Sequence, residues 1–291
     1  MTLYDAVLAP FVEFDFMRRA LVGSLALSIG AAPIGVFLML RRMSLTGDAM
    51  AHAILPGAAV GFLVAGLSLP AMTVGGLVAG VAVAVAAGVV TRATSLKEDA
   101  SLAAFYLLSL ALGVTLVSFK GSNVDLLNVL FGSVLALDDD ALFLLAGVSS
   151  VTLLTLAALY RPLVLECVDP GFLASVSRAG GPTHLVFLGL VVLNLVAGFQ
   201  ALGTLLSVGV MMLPAASASF WSARLGGMVA AAIAVGALSS VAGLLGSYHS
   251  GVPTGPAIIL AAGVLYLVSI AFGATGGLVW RLAPARRHRT A

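Results

Sequence analysis

Charged side chains are scarce in this sequence. Only 9% of its 291 residues are Asp, Glu, Lys or Arg, whereas soluble globular domains carry roughly 25%. Mean hydropathy is +1.15, and apolar runs of roughly 20 residues recur from end to end, each long enough to cross a hydrocarbon layer. The composition predicts an all-α, polytopic transmembrane helical bundle that forms a single domain over residues 1–291. We expect membrane lipid around it and no nucleic acid among its partners.

Several chemical motifs are also missing. The single cysteine, Cys167, excludes an internal disulfide and a thiolate cluster. No GxxxxGK[ST] loop occurs, so the chain cannot hydrolyse ATP through a P-loop, and the lack of an HExxH motif argues against a common design of intramembrane metalloprotease. Residues 1–17 lack the basic start of a signal peptide and include acidic side chains, so we do not expect a cleaved signal peptide there.

Hydropathy predicts about eight or nine membrane spans. The uncertain break lies at 198–204, so eight spans, or nine with one re-entrant, are both open. The candidate spans are 20–40, 46–67, 71–91, 100–119, 141–160, 184–200, 203–222, 227–247 and 256–280.

Lysine and arginine indicate the orientation, because loops on the cytoplasmic side are enriched in them. With nine spans, eleven basic residues fall on one side and only Arg18, Arg19 and Lys120 on the other. The tail 281–291 and the loop 161–183 are therefore predicted to be cytoplasmic, and the N-terminus to be outside.

Asp48 and His52 are the sharpest candidates for chemistry. They are four residues apart, which in a helix places a carboxylate and an imidazole on one face, and both groups bind divalent transition metals. Ionisable groups inside membrane spans are usually functional, although an interhelical hydrogen bond is the plainer interpretation. Because Pro56 has no N–H, the carbonyl of His52 loses its usual helical partner and is a possible third acceptor.

Two further residues, Asp125 and His249, fall on the predicted outer side. Both are candidates for contact with an incoming cation, and an ordinary surface position is the plainer interpretation of each. Neither is close in sequence to the Asp48/His52 pair.

The loop 161–183 contains a short predicted helix. Asp169 followed by Pro170 is typical of a helix start, and the glycines at 180 and 181 predict its end. Phe172, Leu173 and Val176 would give it an apolar face. That face suits either a groove on a cytosolic partner or the membrane surface.

Four segments together resemble the zinc/manganese ABC transporter permeases. The most specific is RRMSLTGDAMAHAILPG at 41–57, and the supporting segments are VDLLNVLFGS at 124–133, LPAA at 213–216 and PTGPAIIL at 253–260. The likeness runs in matching order from about residue 18 to 270. It implies a homodimeric permease in the bacterial cytoplasmic membrane, bound to two cytosolic ATP-binding subunits and fed by an extracytoplasmic metal-binding protein.

The resemblance also implies roles for residues. Asp48 and His52 match the family's metal-pathway pair, and residues 169–180, which include Arg178, match its ATPase-coupling helix. Arg18 and Arg19 fall where the outer mouth would meet acidic groups of the binding protein. Many relatives have an acidic residue two positions before the proline at 253, but here that residue is Gly251, so any metal role at the mouth passes to His249 or is lost.

The leading interpretation is a non-enzymatic importer subunit with no permanently bound cofactor and with Zn²⁺ or Mn²⁺ as its cargo. The imidazole leans towards Zn²⁺, while carboxylate and carbonyl oxygens lean towards Mn²⁺, and we rank Zn²⁺ first. A proton-driven metal carrier and a non-transporting membrane scaffold are the alternatives. A proton-driven carrier would explain the Asp48/His52 pair but has no need of a docking helix. A scaffold would explain neither the pair nor the helix.

Overall fold

The computed structural model describes residues 4, 7–66, 68–96, 98–119, 134–177 and 180–279. All regular structure in those ranges is helical, as predicted. The described α-helices are α1 (Ala9–Glu13), α2 (Asp15–Leu40), α3 (Thr46–Ala53), α4 (Leu55–Ala65), α5 (Leu69–Ala93), α6 (Glu98–Phe119), α7 (Asp139–Ala158), α8 (Tyr160–Val168), α9 (Pro170–Val176), α10 (Gly180–Leu202), α11 (Thr204–Ala218), α12 (Leu225–Ser250) and α13 (Thr254–Phe272). A 3₁₀ turn spans Val134–Ala136.

Eight segments of the described chain are long and apolar enough to cross a membrane. Helices α3 and α4 count together as one of these, over Thr46–Ala65. The predicted polytopic helical bundle is confirmed. The predicted basic tail, 281–291, lies outside the described residues.

The predicted span 203–222 is instead the short helix α11, of 15 residues. At about 1.5 Å per residue, it is shorter than the hydrocarbon layer. Gly203, with φ +93°, makes the turn between α10 and α11. Next to this turn, Gly198 faces both Ser207 and Leu27, near the middle of α2. Helix α11 therefore starts within the bundle and accompanies only the second half of α2, and it is not among the eight segments of the described residues that are long enough to cross a membrane.

Helices α2 and α10 form the centre of the bundle, since each has 72% of its most apolar stretch buried. Helix α2 packs against α7, α10, α11 and α12, and α10 packs against α5 and α7 as well. Two buried polar donors in this core have partners: the Asn194 amide nitrogen donates to Thr152 at 2.7 Å, and the Ser149 hydroxyl donates to the carbonyl of Ala26 at 2.6 Å. Such pairing is required where water cannot satisfy polar groups.

Glycine allows two of these helix pairs to touch backbone to backbone. A Cβ on Gly57 of α4 would lie 1.9 Å from the carbonyl oxygen of Gly75 on α5, and one on Gly35 of α2 would lie 1.9 Å from that of Met211 on α11. Small residues at such contacts bring membrane helices close enough for van der Waals attraction to hold them together.

Helix α9 ends three residues earlier than the glycines predicted. Its last residue is Val176, and Gly180 already belongs to α10. Ser177 caps α9 through a backbone bond to Leu173. Since Ser177 has an extended backbone (φ −147°), the chain leaves the helix without needing a glycine there.

Candidate functional site

The segment that leads into α3 is fixed by the way α2 ends. The amide of Met43 donates to the carbonyl of Leu38 at 2.9 Å, and that of Arg42 donates to the carbonyl of Met39 at 3.0 Å. This is the Schellman pattern, in which one residue takes the left-handed conformation. That residue is Arg42, with φ +59°, where a glycine would cost less. The turn sets the direction in which α3 begins.

Asp48 and His52 lie together on α3, as their spacing predicts. His52 Nε2 is 3.8 Å from Asp48 Oδ1, and the side chains are 31% and 64% exposed. The imidazole stacks on the ring of Tyr106 from α6, with 6.1 Å between ring centroids. Its Nδ1 atom is buried and has no hydrogen-bond partner among the residues that the structure describes. The pair therefore presents one carboxylate and one partly covered imidazole on the same surface.

A second carboxylate, that of Asp99 on α6, lies close to Asp48. Asp48 and Asp99 both line a cavity of about 140 Å³, together with Thr46 and Tyr106. Sequence reasoning missed Asp99, although an acidic pair at 98–99 in a predicted cytoplasmic loop that otherwise carries Arg92 and Lys97 was a usable signal. Only the packing of α3 against α6 brings Asp99 next to Asp48.

The cluster is incomplete as a metal cage. Among the described residues, no three His, Cys, Asp or Glu side chains are grouped closely enough to hold a metal ion together. Additional ligands would have to come from water, from backbone carbonyls or from residues outside this group. An open cluster of this kind suits a cation that must leave as well as enter.

The helical segment is interrupted between α3 and α4 at Ile54, two residues before Pro56. The amide of Ile54 is directed at the carbonyls of both Met50 and His52. The His52 carbonyl is thus approached by an N–H of its own chain, which differs from the free acceptor expected from Pro56 alone. Its contact with a metal stays a prediction.

Helix α9 begins where it was predicted to begin. Asp169 caps it, its Oδ1 accepting from the amide of Phe172 at 2.9 Å. Phe172 is 52% exposed, whereas Leu173 is buried against the bundle. Val176 closes the helix, and Arg178 lies outside the described residues. One apolar residue therefore anchors α9 while another is available for contact with a partner.

Arg18 and Arg19 lie in the first turns of α2, at the predicted outer end. Arg18 pairs with Asp15 in the same helix, and Arg19 Nη2 lies 3.1 Å from Asp139 Oδ1 at the start of α7. All four side chains are largely exposed. Exposed pairs of this kind are weak, so both guanidinium groups are available to an acidic partner.

His249 occupies the last turn of α12, and its ring meets that of Tyr248 edge to face at 5.1 Å. Tyr248 in turn packs on Phe14, next to the start of α2. His249 therefore lies at the same end of the bundle as Arg18 and Arg19, about the length of α2 away from the α3 pair. Asp125 lies outside the described residues.

The fold defines a class: a polytopic helical membrane protein that carries an aspartate and a histidine on one face at the start of its second span. The model of the ABC 3 transport family matches residues 13–273. The chain belongs to that family.

The similarity to individual relatives extends over nearly the whole length of this chain and of theirs. The chain is 33% identical to the manganese import system permease protein ScaB of Streptococcus parasanguinis, over 88% of this chain and 90% of that protein. It is 30% identical to the manganese transport system membrane protein MntC of Halalkalibacterium halodurans, over 96% and 94%. The solved structure of PsaBC from Streptococcus pneumoniae in complex with Fab superposes with a TM-score of 0.82 at 30% identity, covering 94% of this chain and 97% of that one.

Proposed function

We propose that this chain is the membrane permease subunit of an ATP-driven importer of a divalent transition metal, with Mn²⁺ as its principal cargo. The observation that carries the proposal is the Asp48/His52 pair, with Asp99 lining a cavity beside Asp48, in a chain of the ABC 3 transport family. Carboxylate and imidazole side chains that do not enclose an ion can still replace single waters of its hydration shell as it passes. Such a surface serves passage of an ion better than storage.

The choice of Mn²⁺ reverses the order suggested by the imidazole alone. Oxygen ligands favour Mn²⁺, whereas closed zinc sites are dominated by thiolate and imidazole. Asp99 adds a second carboxylate to the cavity that Asp48 lines, and the chain's one cysteine, Cys167, lies on α8. The curated relatives named above are manganese permeases, which supports the same choice.

ATP hydrolysis belongs to separate cytosolic subunits in this proposal. Helix α9 is the surface on which they act, because it is short, exposed at Phe172 and anchored at Leu173. Closure of the ATPase pair moves α9, and the movement opens or closes the path beside α3. Alternating access of this kind requires relative motion of helices around a fixed ion site.

A second copy of the chain and an extracytoplasmic metal-binding protein complete the proposed assembly. The exposed carboxylate of Asp48 leaves room for ligands contributed by the second copy. Arg18 and Arg19 are suited to acidic groups on the binding protein, which would steer its association in a salt-dependent way. High-affinity selection of the metal takes place on that protein before the ion reaches α3.

The test is the metal content of cells, measured by elemental analysis with and without this chain under manganese limitation and, separately, under zinc limitation. We expect the chain to restore manganese and to have little effect on zinc. Recovery of zinc alone would identify Zn²⁺ as the principal cargo, and recovery of neither metal would overturn the proposal. Uptake that persists when no ATPase subunit is present would favour a proton-driven carrier.

A further inference from the structure

Three ionisable side chains are buried together where α2, α8 and α10 meet. The Arg41 Nη2 atom donates to Glu166 Oε1 at 2.8 Å and also contacts His184 Nδ1. His184 Nδ1 lies 3.6 Å from the same Glu166 oxygen. The side chains of Arg41, Glu166 and His184 are only 8%, 10% and 13% exposed. We call these three residues the buried triad.

The triad joins parts of the chain that have different roles in the proposed transport cycle. Glu166 precedes by three residues Asp169, which caps α9, and His184 lies in the first turns of α10, directly after α9. Arg41 caps α2 and is followed by Arg42, whose left-handed turn begins the path to α3. The triad therefore connects both flanks of α9 to the segment that orients the metal-pathway helix.

Packing around the triad reinforces this connection. The Arg41 guanidinium lies over the ring of Phe187 from α10, with Cζ 5.0 Å from the ring centroid. A cavity of about 660 Å³ adjoins the triad and is also lined by Leu173, the buried anchor of α9. Helix α9 thus has open space beside its anchor, while the residues on either side of it are held to Arg41.

A merely structural role is a weak explanation for these charges. Removing ions from water is costly, and apolar side chains of similar volume often stabilise a buried position equally well. Buried ion clusters are better attested where they fix one arrangement of helices against another. Arg41 has a guanidinium that binds a carboxylate in a fixed direction, which suits a link between moving parts.

We propose that Arg41, Glu166 and His184 form the positioning link that transmits movement of α9 to α3, so that ATP hydrolysis is coupled to metal passage. The inference rests on the proposed function. In this role the triad touches neither the metal nor ATP. It keeps the end of α2 moving together with α8 and α10, and the Schellman turn at Arg42 passes that movement on to the helix of Asp48.

The test measures Mn²⁺ transported per ATP hydrolysed, using the permease and its ATPase subunits reconstituted in lipid vesicles. Glu166→Gln keeps the shape of the side chain and removes its charge. We expect ATP hydrolysis to continue while the transport ratio falls at least about fivefold, the lower range of allosteric coupling. Arg161→Gln, on the exposed side of α8, is the matched control and should leave the ratio unchanged.

Arg41→Gln combined with Glu166→Gln provides a second measurement. If the two residues act as one link, the double variant loses no more coupling than either single variant.

Where Glu166→Gln does not accumulate in the membrane, His184→Gln takes its place. An assembled variant complex whose transport and ATP hydrolysis fall in parallel, at an unchanged ratio, overturns the inference. A wild-type complex that transports no Mn²⁺ would instead contradict the proposed function.

Discussion

The hydroxyl of Ser109 on α6 donates a hydrogen bond of 2.9 Å to the carbonyl oxygen of Ala53, the last residue of α3. That carbonyl faces the break between α3 and α4, where the regular helical pattern is interrupted before Pro56. Both partners are buried. A side chain from a neighbouring helix therefore satisfies a backbone group that the proline-containing break exposes, as broken membrane helices require.

Removing this hydroxyl should loosen the break. Ser109→Ala leaves the Ala53 carbonyl unsatisfied, at a cost of about 1–3 kcal/mol, and we expect a lower melting temperature of the purified protein. Thr115→Ala is the control on the same helix, because that exposed hydroxyl bonds only to its own helix at Ala111. Equal melting temperatures for the two variants would show that the contact does not stabilise the break.

Asp99 is expected to act in the metal path alongside Asp48. Asp99→Asn keeps the size of the side chain but removes a negative charge from the shared cavity. Removing a residue that only supports a metal ligand typically lowers metal affinity or activity by about 10- to 100-fold. Removing a side chain that contacts the ion itself should have at least as large an effect, so we expect uptake to fall about tenfold or more. Radioactive Mn²⁺ uptake at matched membrane abundance measures it. Asp140→Asn, an exposed carboxylate on α7, should have no effect.

The contact of Gly57 with Gly75 should tolerate no side chain. In Gly57→Ala the new methyl group would overlap the Gly75 carbonyl, so α4 and α5 must separate, at a cost of about 1–3 kcal/mol. We expect reduced membrane abundance and a lower melting temperature. Gly147→Ala on α7 introduces the same methyl group where nothing lies within 4 Å, and it should be neutral or slightly stabilising.

Phe172 should be an anchor for the ATPase subunit. Phe172→Ala removes an exposed aromatic ring from α9, and truncation of a hot-spot aromatic weakens an interface by about 2 kcal/mol or more. We expect much less ATPase to co-purify, with unchanged abundance of the permease itself. Val168→Ala, an exposed apolar truncation on α8, serves as the comparison. Undiminished co-purification would place the interface elsewhere.

Cys167 should react slowly with thiol reagents near neutral pH. Burial raises the pKa of its thiol above the ordinary value, with Arg41 opposing the rise and Glu166 adding to it. A raised pKa leaves less of the reactive thiolate at a given pH, so the alkylation rate should increase only at higher pH than for a free cysteine. Glu166→Gln should shift that profile to lower pH. Mass spectrometry of iodoacetamide labelling gives the rates.

The sequence was informative where local chemistry decides the outcome. Hydropathy located the spans because length and apolarity alone determine which segments suit a membrane. The four-residue spacing placed Asp48 beside His52 because both lie within one helix, and Asp169 was recognisable as a cap for the same reason. The depth at which α11 begins could not be read in this way, since it depends on the packing of Gly198 against Ser207 and Leu27.

Composition and residue spacing were therefore enough to identify a helical membrane protein and to single out Asp48 and His52 as candidates for contact with a metal. The tertiary structure alone decided that Asp99 joins that pair, and that Arg41, Glu166 and His184 meet in one buried cluster. The physical reason is separation along the chain. Glu166 is 125 residues from Arg41, and no local periodicity records a contact that exists only after separate helices have packed together.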